Sequence, residues 1–280
     1  MQPLIAELSR LYLLEPQMCV EGGGGGGARE PREPREPRVA LSPGRLEQHL
    51  LGLKTVAVDL VSPAATARAF VLDFCAGGAS RGEQQWRALC VLANALRESL
   101  QLPAPAVSIS GHGFQLWLSL ATPAPLAEIA EFVQRLHVDC LPDDSDRDNG
   151  LLVTVVDLPP ARQASGKWAA FIHPGMGASF ADDPALEMAP PVGAQVGFLD
   201  GLRSIDSAQF ATALATLRRR QGAPQPVTPL PAPLPAPLPP ASSNAVPDGL
   251  LLKDASLDDI VAWLHARHIE PTFRYCLPGS

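Results

Sequence analysis

Apolar and polar residues along this chain recur with two periods, and these mark out a succession of helices and strands. Leu4, Leu8 and Leu11 lie at helical spacing, so residues 3–14 are predicted as a short amphipathic helix. Residues 55–61 and 69–74 are rich in β-branched and apolar side chains and read as strands. Between 83 and 100, Trp86, Leu89, Cys90, Ala93, Leu96 and Leu100 form one stripe of a helix, which Pro103 and Pro105 terminate. Residues 106–109 and 115–120 read as strands on either side of Gly111-His112-Gly113. A second amphipathic helix is expected over 125–137, on Leu126, Ile129, Val133 and Leu136. Strands at 151–158 and 168–172 follow. A helix at 207–220 ends in Arg218-Arg219-Arg220, where cations suit the negative end of the helix dipole. The alternation predicts an α/β (α+β) protein with a central mixed sheet flanked by helices.

Composition sets the boundaries. Six consecutive glycines, Gly22 to Gly27, precede an Arg-Glu-Pro repeat over 29–38. Neither buries enough surface to fold, so 20–40 is expected to be a flexible insert after an N-terminal helical segment, 1–19. The glycine run has no strand before it and no Lys-Ser/Thr after it, which excludes a phosphate loop. Residues 222–247 repeat Leu-Pro-Ala-Pro, a semi-rigid polyproline linker, and 248–280 form a small helical C-terminal unit that opens on Asp254-Ala255-Ser256. The main domain is then 41–221. A hydrophobic content of 46% is ample for its core, and a net charge of −7 argues against a basic nucleic-acid coat protein while leaving room for a local positive groove.

The five cysteines show no Cys-x-x-Cys pairing, so reduced thiols in a cytoplasmic protein are expected rather than zinc ligands or disulfides. Asp143, Asp144, Asp146 and Asp148 lack the glutamate that closes a calcium loop and read as a solvated acidic loop. The first residues lack the order of a signal peptide, and no apolar run approaches the roughly 20 residues of a membrane span.

The candidate chemistry sits in three places. Asp73 ends one strand, Ser110-Gly111-His112-Gly113 turns into another, and Asp157 ends a third. Carboxylates suit hard divalent cations and a tight glycine turn presents N–H groups to phosphates, so the set suits a metal-bound nucleoside triphosphate. The order strand-Asp73, helix, Ser108-Ile109-Ser110-Gly111-His112-Gly113-Phe114-Gln115-Leu116-Trp117, helix, strand-Asp157, then Phe171-Ile172-His173-Pro174-Gly175 resembles the archaeo-eukaryotic primase superfamily. That group includes primase-polymerases of plasmids and mobile elements and the polymerase domains of end-joining ligases.

The resemblance covers about residues 54–217 and implies a palm-like nucleotidyltransferase. Two metal ions, Mg2+ or Mn2+, would activate a primer hydroxyl and steady the leaving pyrophosphate. By the match of motifs, Asp73 and Asp157 would hold metal and catalyse. Ser110, Gly111, His112 and Gly113 would shape the phosphate-binding turn, with Gln115 and His173 touching the triphosphate. The implied partners are nucleoside triphosphates and single-stranded or primed DNA.

Two positions depart from the superfamily pattern. Cys75 stands where a second carboxylate is usual, and Gln115 stands where a histidine is usual. A thiol is a poor ligand for magnesium, and glutamine carries no positive charge. Asp59, at the end of the preceding strand, is a candidate replacement carboxylate. Three readings stay open: an active primase-polymerase, a degenerate member that binds nucleic acid or nucleotide without catalysis, and an adaptor that recruits a protein partner through its Pro-rich segment.

Overall fold

The β-α-β-β-α-β core of the protein follows directly from the strand order of its larger sheet. The computed structural model describes residues 1–21, 38–75, 82–141 and 150–222. The body of the flexible insert, the acidic loop, the Pro-rich linker and the C-terminal unit lie outside the described residues. The described residues all fall within one compact unit. The helices are α1 (Gln2–Leu11), α2 (Pro43–Leu50), α3 (Gly82–Asn94), α4 (Leu126–Cys140), α5 (Val192–Leu199) and α6 (Ser207–Gly222). A π-helical turn, Ala95–Ser99, prolongs α3, and a 3-10 segment spans Pro174–Phe180. The strands are β1 (Met18–Glu21), β2 (Arg38–Ala40), β3 (Val56–Asp59), β4 (Thr66–Phe74) and β5 (Ala106–Ile109). They continue with β6 (Phe114–Pro125), β7 (Leu151–Val153), β8 (Val155–Asp157), β9 (Ala161–Arg162) and β10 (Trp168–Ile172).

The six-stranded sheet has the order β7-β4-β6-β5-β10-β9. Its segment β4-α3-β5-β6-α4-β7 is two interlocked split βαβ units, the ferredoxin-like arrangement. Every pairing between named strands is antiparallel, where a mixed sheet was expected. The reason is that β6 inserts between β4 and β5, and β4 between β6 and β7, so strands that run the same way never touch.

Alternation of side chains along these strands builds two cores. Phe70, Leu72 and Phe74 of β4, with Leu116 and Leu118 of β6, pack on α3, α4 and α6 through Leu89, Phe132 and Phe210. Val71 of β4, Trp117 of β6 and Phe171 of β10 point the other way, where they meet Leu4, Leu8 and Tyr12 of the N-terminal segment and Val58 and Val156 of a second sheet. That sheet has the order β2-β1-β3-β8. The edges of the expected insert are therefore strands, and α1 is part of the second core. Arg68 fixes the end of α1 by donating to the carbonyls of Ser9, Arg10 and Leu13 at 3.5, 2.6 and 3.3 Å.

Residues 151–158, expected as one strand, divide between the two sheets at Thr154. β7 pairs with β4 and β8 with β3, and the Thr154 carbonyl accepts the Leu60 N–H at 2.8 Å. The apolar run continues on both sides of Thr154, so the sequence carries no mark of the change. Among the described residues no helix is long and apolar enough to cross a membrane.

Candidate functional site

Hairpin arithmetic places the site. Ile109 pairs with Phe114, which brings Ser108 opposite Gln115, and β4 sets Asp73 on the other side of Gln115. Asp73, Gln115 and Ser108 thus form one row across three strands, with their side chains on the face of the second core. All three are buried. The Trp117 indole N–H donates to Ser108 Oγ at 2.9 Å, Ser108 Oγ donates to Gln115 Oε1 at 3.3 Å, and Gln115 Nε2 donates to Asp73 Oδ1 at 3.0 Å. Every bond runs in the same sense and ends on the carboxylate, an arrangement in which each bond polarises the next. Burial pushes the Asp73 carboxyl up to about 6, against the downward pull of the Gln115 N–H.

The turn closes the same end of the sheet. Gly111 has φ +86°, a left-handed conformation that suits glycine, and its N–H donates to the Pro184 carbonyl at 2.8 Å. Ser110 N–H and Oγ both donate to the Gly113 carbonyl, at 2.9 and 3.1 Å. A Cβ on Gly113 would lie 2.2 Å from the Phe74 carbonyl oxygen, so only glycine lets the turn sit against the end of β4. His112 is exposed at the tip, and its carbonyl accepts the Cys75 thiol at 3.3 Å. By strand alternation Cys75 lies on the same face as Asp73, one row nearer the turn.

The structure thus brings together Asp73, Gln115, Ser110, Gly111, His112 and Gly113. It does not bring Asp157 or His173 to them. Asp73 pairs with Leu151, and Asp157 lies six residues further along, beyond the crossing at Thr154 and on the other sheet. Val156 points into the core between the sheets, so Asp157 faces the opposite side. Asp59 belongs to that sheet too. Its carboxylate accepts the Val61 N–H at 3.1 Å and pairs with Arg38 at 3.0 Å. Ile172 pairs with Val107, which leaves exposed His173 level with the start of β5, about 13 Å of strand from Ser110. Its Nδ1 accepts the Gly175 N–H at 3.0 Å and caps the 3-10 segment.

Ser108 and the Trp117 indole complete this chain of hydrogen bonds, and Trp117 is at the same time buried in the second core. Ser108's part was legible from the hairpin, since a turn closed by residues 109 and 114 must set 108 against 115. Gln163, after β9, is the further neighbour: its Cγ would be 3.2 Å from a Cβ on Gly111. Nothing in the local sequence marks it.

The donor set tests the implied metals. A two-metal centre needs several carboxylate oxygens around one point. Among the described residues this row holds one carboxylate, flanked by a thiol and an amide, and no group of three or more His, Cys, Asp or Glu is placed to hold an ion. The described residues do not fit a two-metal centre.

Solved structures similar to this chain include two polymerase-type domains. One is the AEP domain of the cyanophage S-2L primase-polymerase, 14% identical, with 71% of this chain and 97% of that domain covered at a TM-score of 0.35. The other is the polymerase domain of Mycobacterium tuberculosis ligase D in complex with DNA, also 14% identical, with 78% and 86% covered at a TM-score of 0.39. Both are archaeo-eukaryotic primase superfamily members. No protein-family profile and no curated protein matches the sequence.

Proposed function

We propose that this chain is a primase-polymerase-type protein that binds single-stranded or primed DNA, or a nucleotide, without carrying out two-metal nucleotidyl transfer. The observation that carries the reading is the Asp73 row. Its one carboxylate is buried, its Oδ1 is engaged by Gln115, and the next residue on its face is the thiol of Cys75. The glycine turn that the motif resemblance associates with phosphates closes the same end of the sheet, and binding without transfer is the activity proposed for it.

Primer extension on a primed template with manganese and labelled nucleotides tests this. The wild-type chain is expected to give no extended product while shifting a labelled oligonucleotide. Cys75→Asp places a second carboxylate on the Asp73 face and is expected to raise Mn2+ affinity at least several-fold in a calorimetric titration. Extended product from the wild type, abolished by Asp73→Asn, would overturn the non-catalytic reading. It would restore Asp73 and Asp157 as proposed metal ligands, with Mg2+ or Mn2+ as cofactor.

A further inference from the structure

A groove of about 420 Å3 lies beside the turn, between the α2–β3 connection and the β9–β10 hairpin. Its walls are Gly52, Leu53, Lys54 and Thr55 on one side and Arg162 and Gln163 on the other, with Ala164 and Gly166 at the hairpin tip. Both walls are fixed. Gly52 has φ +69° and sits so close to the Trp168 indole that a Cβ would approach its Cη2 to 2.5 Å. Leu53 N–H and Lys54 N–H both donate to the Gln48 carbonyl, at 2.9 and 3.3 Å. Thr55 Oγ1 donates to the Arg162 carbonyl at 3.1 Å and ties one wall to the other. The hairpin is closed by Gln163 N–H to the Lys167 carbonyl at 2.8 Å and Gly166 N–H to the Gln163 carbonyl at 2.9 Å.

The charge in this groove has one sign. Its two ionisable residues, Lys54 and Arg162, are both exposed cations with no acidic partner among the described residues, and no carboxylate lines it. Several other cations of the described residues are paired, Lys167 with Asp183 and Glu187, Arg218 with Glu131, and Arg220 with Asp139, whereas Lys54 and Arg162 face one groove together. On a chain of net charge −7, two unbalanced cations across a braced groove form a local attractor for anions. Leu53, 71% exposed, adds an apolar surface next to them. Gln163 is a wall of this groove and a neighbour of Gly111, so one side chain stands between the groove and the turn that closes the Asp73 row.

We propose that this groove binds the phosphodiester backbone of a single DNA strand, with Lys54 and Arg162 on phosphate oxygens and Leu53 against sugar or base. Arg162 offers a planar donor fork that matches a phosphate, and Lys54 a compact charge opposite it. The volume falls within the range of small-ligand clefts and suits about one nucleotide. A strand whose terminal nucleotide reaches the glycine turn would lay its preceding phosphates along the groove. The choice of DNA as occupant rests on the proposed function; the phosphate chemistry rests on the groove alone.

The test is fluorescence anisotropy with the full chain and a labelled single-stranded oligonucleotide over a range of salt. The double variant Lys54→Ala/Arg162→Ala is expected to bind at least about tenfold more weakly and to lower the log–log salt slope by about 1.4, two phosphate contacts at ~0.7 each. Arg162→Lys with Lys54→Arg keeps both charges and is expected to retain most of the affinity. Both side chains are exposed, so the melting temperature is expected to stay within a degree or two of wild type; should the double variant melt early, Lys54→Glu alone gives the same loss of binding. Equal affinity in wild type and these variants would overturn the groove and leave the proposed function standing. Binding of inorganic phosphate or a nucleoside triphosphate but not the oligonucleotide, lost in the double variant, would overturn DNA as occupant and keep the phosphate site. No binding of either probe by the wild type would overturn both.

Discussion

Burial sets the chemistry of Asp73. Its carboxyl is raised from 3.8 to about 6 because desolvation penalises the charged form more than the Gln115 N–H rewards it. Between these two values the folded protein holds a proton that the unfolded chain has released. Stability therefore falls as pH rises from about 4 to about 6 and is flat above, by an amount on the order of 2–3 kcal/mol. Asp73→Asn removes this dependence while keeping an oxygen to accept from Gln115. The expected outcome is a variant more stable than wild type at pH 7, with the difference between the two melting temperatures shrinking as pH is lowered to 4. A difference independent of pH over that range would show that Asp73 titrates normally. The same comparison cancels Glu131, whose carboxyl is held down to about 2 by the guanidinium groups of Arg218 and Arg135 and whose contribution is lost in the opposite direction, in acid.

The elements differ in how they are held. Helix α4 and helix α6 are zipped by Arg218 and Arg220 to Glu131 and Asp139, which gives these two arginines a structural role beyond their match to the helix dipole. Helix α1 adds to its apolar packing one polar tie at its C-terminal end. Arg68 satisfies three carbonyls at and beyond its last turn, groups that a helix end otherwise leaves to water. Arg68→Met is expected to cost about 1–3 kcal/mol. Hydrogen exchange should then report faster exchange across residues 2–12 and little change in β4 or β6; uniform loss of protection would mean that α1 does not move independently.

Periodicity made most of these elements readable. The spans of β5 and β10 match the expected strands, and α3, α4 and α6 match the stripes of Leu89, Ile129 and the helix at 207–220, because each buries one continuous face. The short elements were not readable. Helix α2 carries few apolar positions, β1 and β2 flank a run of glycines and prolines, and two-residue β9 has no period to show. The site was half legible for the same reason. Residues 108 to 115 are local to one hairpin, and Asp73 pairs with it directly. The placement of Asp157 depends on which sheet its strand joins, a choice made at Thr154 by contacts distant in sequence.

At the scale of the whole molecule, the two cores formed by the described residues run from Leu4 to Leu217. A chain ending at residue 222 is expected to melt as the full protein does and to bind the oligonucleotide with unchanged affinity, measured by calorimetry and anisotropy. A fall in either would assign residues 223–280 a part in the fold or the site. Gln195 gives the larger sheet a similar self-sufficiency at β10. Its side chain accepts the Phe171 N–H at 2.9 Å and returns a hydrogen bond to the Phe171 carbonyl at 3.0 Å, so one amide stands in for a neighbouring strand. The segment that crosses at Thr154 acts as a stitch between layers. Because three residues on one side of it are sewn into the first sheet and three on the other into the second, neither layer can slide or peel without unpicking the other, and heat should release the two together in a single step.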